Sequence, residues 1–372
     1  YGVLGGAEGQ GFGGCVRCVS APFSFEALQG VLGVSPDDGL EIQLGAEMRQ
    51  LLEGTRAEDT WTTYRPAWRR FVDWCEKRSP PRRSLPAAPS TVCLYLMWLG
   101  QSANTYSVIR KASGAISTFH EVGLVEEAPT KHHTVSLIRT ALQRKIGVTL
   151  VNQKEPLPWE TVRGTALWVR EGRCTVVPLT LAQYGACLMV VAFCAFFRYK
   201  DVKRLMADEV HFFEDRAELF LETRKNDQLR EGNVVFLIRG QTEACPVRML
   251  EWLASHHPGG HVPLFQGYDG WKIRKDSSRL FRELSGEGLP FHQYQRLVFR
   301  PLAAFMGRDE VDLMKEFGTQ SLRSGGATLI AATDVDSRVF QRHGGWRTVG
   351  MKDHYVKDTL EAKLAVTRAM DY

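Results

Sequence analysis

Residues 318–364 read GTQSLRSGGATLIAATDVDSRVFQRHGGWRTVGMKDHYVKDTLEAKL, and this tract governs how the rest of the chain is read. It sets Arg323 after Gln320, then His343 and Trp346 in a His-Gly-Gly-Trp run, then Tyr355 a short step beyond. A phenol is a poor nucleophile near neutral pH, its free pKa being about 10. It becomes useful against a phosphodiester when guanidinium groups hold the phosphate and carry the negative charge of the transition state. Working outward, a second arginine is needed. Arg198 supplies it, in Phe196-Phe197-Arg198-Tyr199-Lys200-Asp201, and Lys225 supplies a lysine in Thr223-Arg224-Lys225-Asn226-Asp227.

With 372 residues the chain fits two domains, and 44% hydrophobic and 24% charged residues are ordinary globular values. The net charge of +5 permits a nucleic-acid partner without requiring one. The positive charge gathers around the candidate site, at Arg198, Lys200, Lys203 and Arg204, at Arg224, Lys225 and Arg230, and at Arg338, Arg342 and Arg347. Eight scattered cysteines are not a secreted disulfide framework, so a reduced intracellular compartment is expected. Cys15 and Cys18 form a CxxC with no second half, and the pairs His132-His133 and His256-His257 point to different faces. No metal and no cofactor are expected.

The first residue is Tyr1 rather than methionine, which reads as a piece of a longer product, and residues 1–40 are glycine-rich without a period. They are expected to be a poorly ordered tail, and no signal-peptide pattern is present. Leu179 to Phe197 is nearly unbroken apolar sequence, long enough to span a bilayer. It is isolated, contains Gln183 and runs into the basic residues at Arg198, so the expectation is a buried core helix delivering Arg198 to a cleft.

From 41 to 148 the periodicity is helical. Trp61, Tyr64, Trp68, Phe71, Val72 and Cys75 share one face, with Pro66 expected to start or kink that helix and Pro80-Pro81 to stop it. Three more helices follow, over Val92–Leu99, around Tyr106–Phe119 and around Val135–Ile146. Their outer faces are basic, and Arg65, Arg69, Arg110, Lys111, Arg139 and Arg144 are the candidate DNA contacts, though such charges are also an ordinary solvated surface. The stretch Val151–Pro158 has two prolines and no apolar period, so residues 149–157 read as a linker and 158–372 as a second domain. Within it Trp159–Val169, Leu179–Leu205, Cys245–His256, Tyr294–Met306, Ser321–Ala332 and Thr359–Met370 read as helices, and Glu209–Thr223 with Asn233–Arg239 as a hairpin or small sheet.

On SLRSGGAT, RHGGW and DHYVKDTLEAKL the second domain resembles the catalytic domain of the tyrosine recombinases, or phage-integrase family, and most of all the DIRS-like and Crypton-like recombinases of eukaryotic mobile elements. The resemblance implies a mainly α fold with a small β-sheet, made of an N-terminal helical core-binding bundle and a mixed α+β catalytic domain. It implies that Arg198 and Arg323 are the two phosphate-clamping arginines, Asp201 the bracing acid, Lys225 the general acid, Trp346 an indole donor and Tyr355 the nucleophile. The implied function is a site-specific recombinase or integrase that cuts and rejoins double-stranded DNA through a 3′-phosphotyrosyl link. Its expected setting is a synaptic dimer or tetramer, away from membranes and in the nucleus if the host is eukaryotic. Gln320 departs from the pattern, since the family normally has histidine there, and an amide cannot exchange a proton near neutral pH. His343 is either a substitute for it or a structural residue of the turn before Trp346. Two alternatives follow: a catalytically impaired DNA-binding protein, motivated by Gln320, and a type IB topoisomerase-like enzyme with the same chemistry.

Overall fold

The computed structural model describes residues 38–147, 153–222, 232–270, 272, 277–282, 284–358, 363–365 and 368. Lys225 with Arg224 and Arg230, Cys15 and Cys18, and most of the helix expected over Thr359–Met370 lie outside the described residues. The chain divides into two compact units, residues 1–151 and 152–372.

The first unit is all helix: α1 (Gly39–Gly54), α2 (Glu58–Glu76), α3 (Pro89–Ser102), α4 (Tyr106–Val122) and α5 (His133–Ile146). On α2 the spacing of Trp61, Trp68, Phe71, Trp74 and Cys75 puts all five in the core. Trp68 stacks on Phe119 of α4 at 4.6 Å, and Trp61 meets the same ring edge-on at 5.6 Å. Helix α2 neither starts nor stops at Pro66 but runs through it. An interior proline costs a helix about 3 kcal/mol, and the burial of three indoles on the same helix offsets that. His120 closes this core from one side. Its Nδ1–H donates to Ile116 O at 2.7 Å and its Nε2 accepts from Ala87 N at 2.9 Å, so the buried ring is satisfied only when neutral.

The second unit begins with α6 (Trp159–Arg170) and α7 (Leu179–Cys194). Twelve of the sixteen residues of α7 are buried, so it is a core helix packed between α6 and three helices later in the chain. Among the described residues no helix is long and apolar enough to cross a membrane. The expectation of one helix from Leu179 to Leu205 needs correction, because α7 ends at Cys194 and a separate short helix, α8 (Tyr199–Arg204), follows. Phe196 takes a left-handed conformation, φ 51°. Phe197 N then bonds Ala192 O at 2.9 Å and Phe196 N bonds Phe193 O at 3.3 Å, the double closure of a Schellman motif. That position usually holds glycine, so the break left no glycine signal in the sequence.

Strands β1 (Val210–Phe212), β2 (Arg216–Leu221) and β3 (Asn233–Ile238) form an antiparallel sheet in that order. Ala217, Leu219 and Leu221 of β2 and Val235 and Leu237 of β3 turn to the core, leaving Phe236 and Ile238 exposed on the other face. The sheet leads to α9 (Pro246–His256). A second ladder, β4 (Gln266–Tyr268) with β5 (Leu284–Gly288), was not anticipated, since Gly267, Gly286 and Gly288 give it no apolar alternation. The unit finishes with α10 (Phe291–Met306), α11 (Glu310–Glu316), α12 (Ser321–Ala331), α13 (Ser337–Gly344) and α14 (Val349–Asp353). Taken whole, the fold is mainly α with a small sheet, as the sequence implied.

Candidate active site

Glycines decide where Arg323 lies. A Cβ on Gly325 would sit 2.2 Å from Leu157 O, and one on Gly326 would sit 2.5 Å from Phe193 O. Only bare backbone lets α12 press this closely on the end of α7 and on the extended stretch before α6. Arg323, on the same helix, is fully buried. Its Nη1 donates to Phe196 O, the carbonyl turned out by the left-handed residue, and its Nη2 donates to Gly344 O at 2.8 Å.

Helix α13 is started by Asp336, whose carboxylate accepts from Arg338 N and Val339 N, and ends at Gly345 with φ 61°. That turn lays the Trp346 ring 4.5 Å from the Arg323 guanidinium carbon. Gly344 leaves room for the indole, since a Cβ there would fall 1.9 Å from it. After α14 the chain turns again, and the Tyr355 ring covers the other reach of Arg323 at 4.6 Å. Two aromatic faces thus share one guanidinium, a pairing that electrostatic attraction to the ring quadrupole favours.

Arg198 reaches the same place from the start of α8. Its backbone N–H is held by Asp201 Oδ2 at 2.9 Å, and its Nε donates to Tyr355 Oη at 3.3 Å. Nη1 lies 4.0 Å from Asp201 Oδ2. Both Arg198 Nη1 and Trp346 Nε1 are buried donors with no hydrogen-bond acceptor. Buried donors left in this way are costly, so their concentration around one phenol is unusual for a merely structural cluster. Two guanidiniums and one nearby carboxylate leave the pocket with an excess positive charge.

The sequence-derived residues therefore separate into groups. Arg198, Arg323, Trp346 and Tyr355 come together, with Asp201 bracing Arg198 from behind. His343 lies beneath, its Nε2–H donating to Cys194 O at 2.8 Å and its ring 4.7 Å from Phe196, so it ties α13 to the end of α7. Gln320 is exposed at the start of α12, and its backbone carbonyl accepts from Ser324 N at 2.9 Å. Lys225 lies outside the described residues.

Three supports went unread in the sequence. Phe196 contributes a carbonyl and a ring. Lys352, buried beside the ring of Phe340, donates from Nζ to Ser337 Oγ at 2.8 Å. Lys357 fastens the segment after Tyr355 through its N–H to Thr328 Oγ1 at 3.0 Å and through an ion pair with Glu155. Backbone acceptors and single surface pairs leave no residue pattern, so nothing short of coordinates would have found them. Among the described residues no cluster of His, Cys, Asp and Glu could hold a metal ion.

In the helical unit, Arg65 is engaged by Glu58 at 3.2 Å and lies 5.8 Å from the Trp61 ring. Arg69, Arg110 and Arg144 are exposed, and Arg139 is half-buried. Lys111 lines a cleft of about 460 Å³ with Thr62, Thr63, Ser107 and Arg70, the last of which the sequence had not singled out. Arg139 and Arg144, on α5, are not part of that cleft.

No family model matches the chain. It is 25% identical over 320 residues to an integrase/recombinase xerD homolog of Selenomonas ruminantium, an alignment covering 85% of this chain and 86% of that protein. Its fold is similar to that of the Tn1549 transposon integrase solved with transposon right end DNA, with a TM-score of 0.54, 12% identity, and coverage of 87% of this chain and 99% of the other. It is also similar to the XerH site-specific recombinase bound to palindromic difH substrate, with a TM-score of 0.51, 12% identity, and coverage of 94% and 85%. The chain is thus similar to integrases and recombinases in sequence and in fold.

Proposed function

We propose that this protein is a site-specific recombinase of a mobile element, with Tyr355 as its nucleophile. One observation carries the assignment of residues: Arg198 Nη1 and Trp346 Nε1 are buried donors without acceptors, on two residues that both contact Tyr355. A scissile phosphate between them would supply the missing acceptors and balance the positive charge. As the bond from phosphorus to Tyr355 Oη forms, the bond to the 5′ oxygen breaks. Lys225 gives that oxygen a proton, and the phenol passes its own to solvent water. The 3′-phosphotyrosyl link conserves the bond energy, so attack by the 5′-hydroxyl of a second strand reseals DNA without a nucleotide. Arg198 carries most of its donors free for this task. Arg323 works from a fixed position, its fork already anchored to two carbonyls.

Double-stranded DNA is the partner, with Arg70 and Lys111 of the helical cleft and the exposed Arg69, Arg110 and Arg144 holding backbone phosphates. Strand exchange needs two sites, hence a synaptic dimer or tetramer. An apolar groove of about 410 Å³, lined by Phe236, Ile238, Leu329, Val335 and Val339, suits the C-terminal segment of a neighbouring copy that carries Leu360, Leu364 and Val366. A chain truncated after Asp358 should bind single sites yet fail to pair them in sedimentation. The finer placement among DIRS-like and Crypton-like recombinases, and a nuclear workplace, rest on SLRSGGAT and RHGGW alone.

The test is a pool of nicked suicide duplexes of randomised sequence, incubated with the protein and with Tyr355→Phe, then denatured. A covalent protein–DNA band in the parent and none in the mutant is the expected result. Equal bands in both, or a phenylalanine-insensitive adduct, would remove Tyr355 from its assigned role.

A further inference from the structure

The far end of α7 carries a second cluster of unused donors. Sixteen residues of α-helix span roughly 24 Å, which separates this end from Cys194 and the Tyr355 site. Val177, Pro178 and Leu181 from the start of α7, Tyr268 from β4, and Arg296 and Arg300 from α10 line a cleft of about 630 Å³. Tyr268 is 7% exposed, and its hydroxyl has no hydrogen-bond partner. Arg296 Nε is likewise buried and without a partner, and among the described residues Arg296 makes no ion pair. Arg300 faces Glu310 at 3.6 Å, so its charge is partly shared.

The cleft is built rather than incidental. Gln293 clamps the Tyr268 backbone from both sides, accepting from Tyr268 N at 3.0 Å and donating to Tyr268 O at 2.9 Å. Helix α7 starts behind Pro178 with no side-chain cap, and Pro178 and Leu181 line the same cleft, so the positive end of the helix dipole lies beside it. Burial pushes the Tyr268 phenol up, with Arg296 and Arg300 opposing, which keeps the group a neutral donor. An orphaned phenol, an orphaned guanidinium and an uncapped helix start all seek an acceptor bearing negative charge.

We propose that this cleft binds a small phosphate-bearing anion, held by Tyr268, Arg296 and the first turn of α7, at a site separate from the DNA-cutting centre. The recessed Tyr268 hydroxyl suits a small ligand better than the convex backbone of a duplex. The apolar wall of Val177 and Leu181 leaves room for an organic body on the phosphate.

The probe is inorganic phosphate, titrated against the full chain at constant ionic strength with chloride as the control, and read as a saturable thermal shift. Because the Tyr355 site would also take phosphate, the titration is repeated in Arg198→Met, where the shift should persist. In that background Tyr268→Phe and Arg296→Met should each weaken phosphate about tenfold, the loss of one charge-assisted or buried hydrogen bond. Tyr268→Phe keeps the ring, so it reads the hydroxyl even if Arg296→Met folds poorly. A shift matched by chloride, or abolished by Arg198→Met alone, or indifferent to both Tyr268→Phe and Arg296→Met overturns the proposal. So does duplex affinity that falls tenfold in Arg296→Met when phosphate has no effect, which would assign the cleft to the DNA backbone. Failure of the cleft leaves the Tyr355 adduct assay untouched, and the reverse holds too.

Discussion

Arg198 and Arg323 play matched parts in the proposed chemistry, yet their surroundings predict different costs for the same substitution. Arg323→Lys removes a fork that bonds Phe196 O and Gly344 O at once and contacts two rings. A bond to a charged donor contributes about 1.5–3 kcal/mol. An ammonium can keep one of the two carbonyls, so the net loss should be about 2–4 kcal/mol, with a buried carbonyl left unpaired. For a unit of this size that is a fall in Tm of about 5–15 °C. Arg198→Lys sacrifices one long bond to Tyr355 Oη and a 4.0 Å approach to Asp201, so it should cost no more than about 1 kcal/mol. Both should cut covalent adduct formation at least about a hundredfold, Arg198→Lys because lysine cannot present two parallel donors to one phosphate and Arg323→Lys because the support of the Trp346 and Tyr355 rings is lost. The assay is thermal or urea unfolding of each variant beside adduct formation on the selected suicide duplex. Equal destabilisation by the two substitutions, or an Arg323→Lys protein as stable as the parent, would refute the view that Arg323 is also a strut of the fold.

Gly344→Ala, which places a methyl 1.9 Å from the Trp346 ring, should cost about 1–3 kcal/mol and lower adduct formation while duplex binding in a gel shift persists. Gln320→His, at the exposed start of α12, should raise the adduct rate about tenfold or more by supplying a group that exchanges a proton near neutrality, and single-turnover kinetics would show it. Burial holds the His120 pKa below its ordinary value, so between that value and about 6.5 the unfolded chain binds a proton that the fold refuses. The helical unit should therefore lose stability as pH falls below about 6.5, at up to about 1.4 kcal/mol per pH unit. Denaturant titrations followed by tryptophan fluorescence should show that slope flattened in His120→Asn.

The helical unit was legible because an amphipathic helix writes its buried face into the sequence at steps of three and four, as Trp61, Trp68, Phe71 and Cys75 show. The sheet of β1 to β3 was legible for the matching reason, an alternation that sends Val235 and Leu237 inward and Phe236 and Ile238 outward. What escaped was decided by backbone geometry. Phe196 adopts a conformation that phenylalanine seldom takes, so an apolar run that reads as one helix is two. The glycine-rich ladder of β4 and β5 has no side-chain period, and the polar knot of Tyr184, His257 and Gln266 that secures it could be recognised only once folded.

The same distinction explains the site. Side chains that would touch the phosphate could be named from order and context, because their chemistry restricts them to arginine, tryptophan and tyrosine. The groups that aim them are backbone carbonyls and absent methyls, which almost any sequence possesses. Phe196 O holds Arg323 because a strained residue turns it outward, and strain of this kind persists only where the surroundings enforce it. Here His343 bonding Cys194 O, the Phe196 ring against Trp346, and the bare flank of Gly326 all press on that one turn. The break in α7 therefore has a purpose that an unbroken helix could not serve. It presents Arg198 at the start of a new helix and, two residues earlier, the carbonyl that fixes Arg323, so one local distortion sets both guanidiniums against the same phenol.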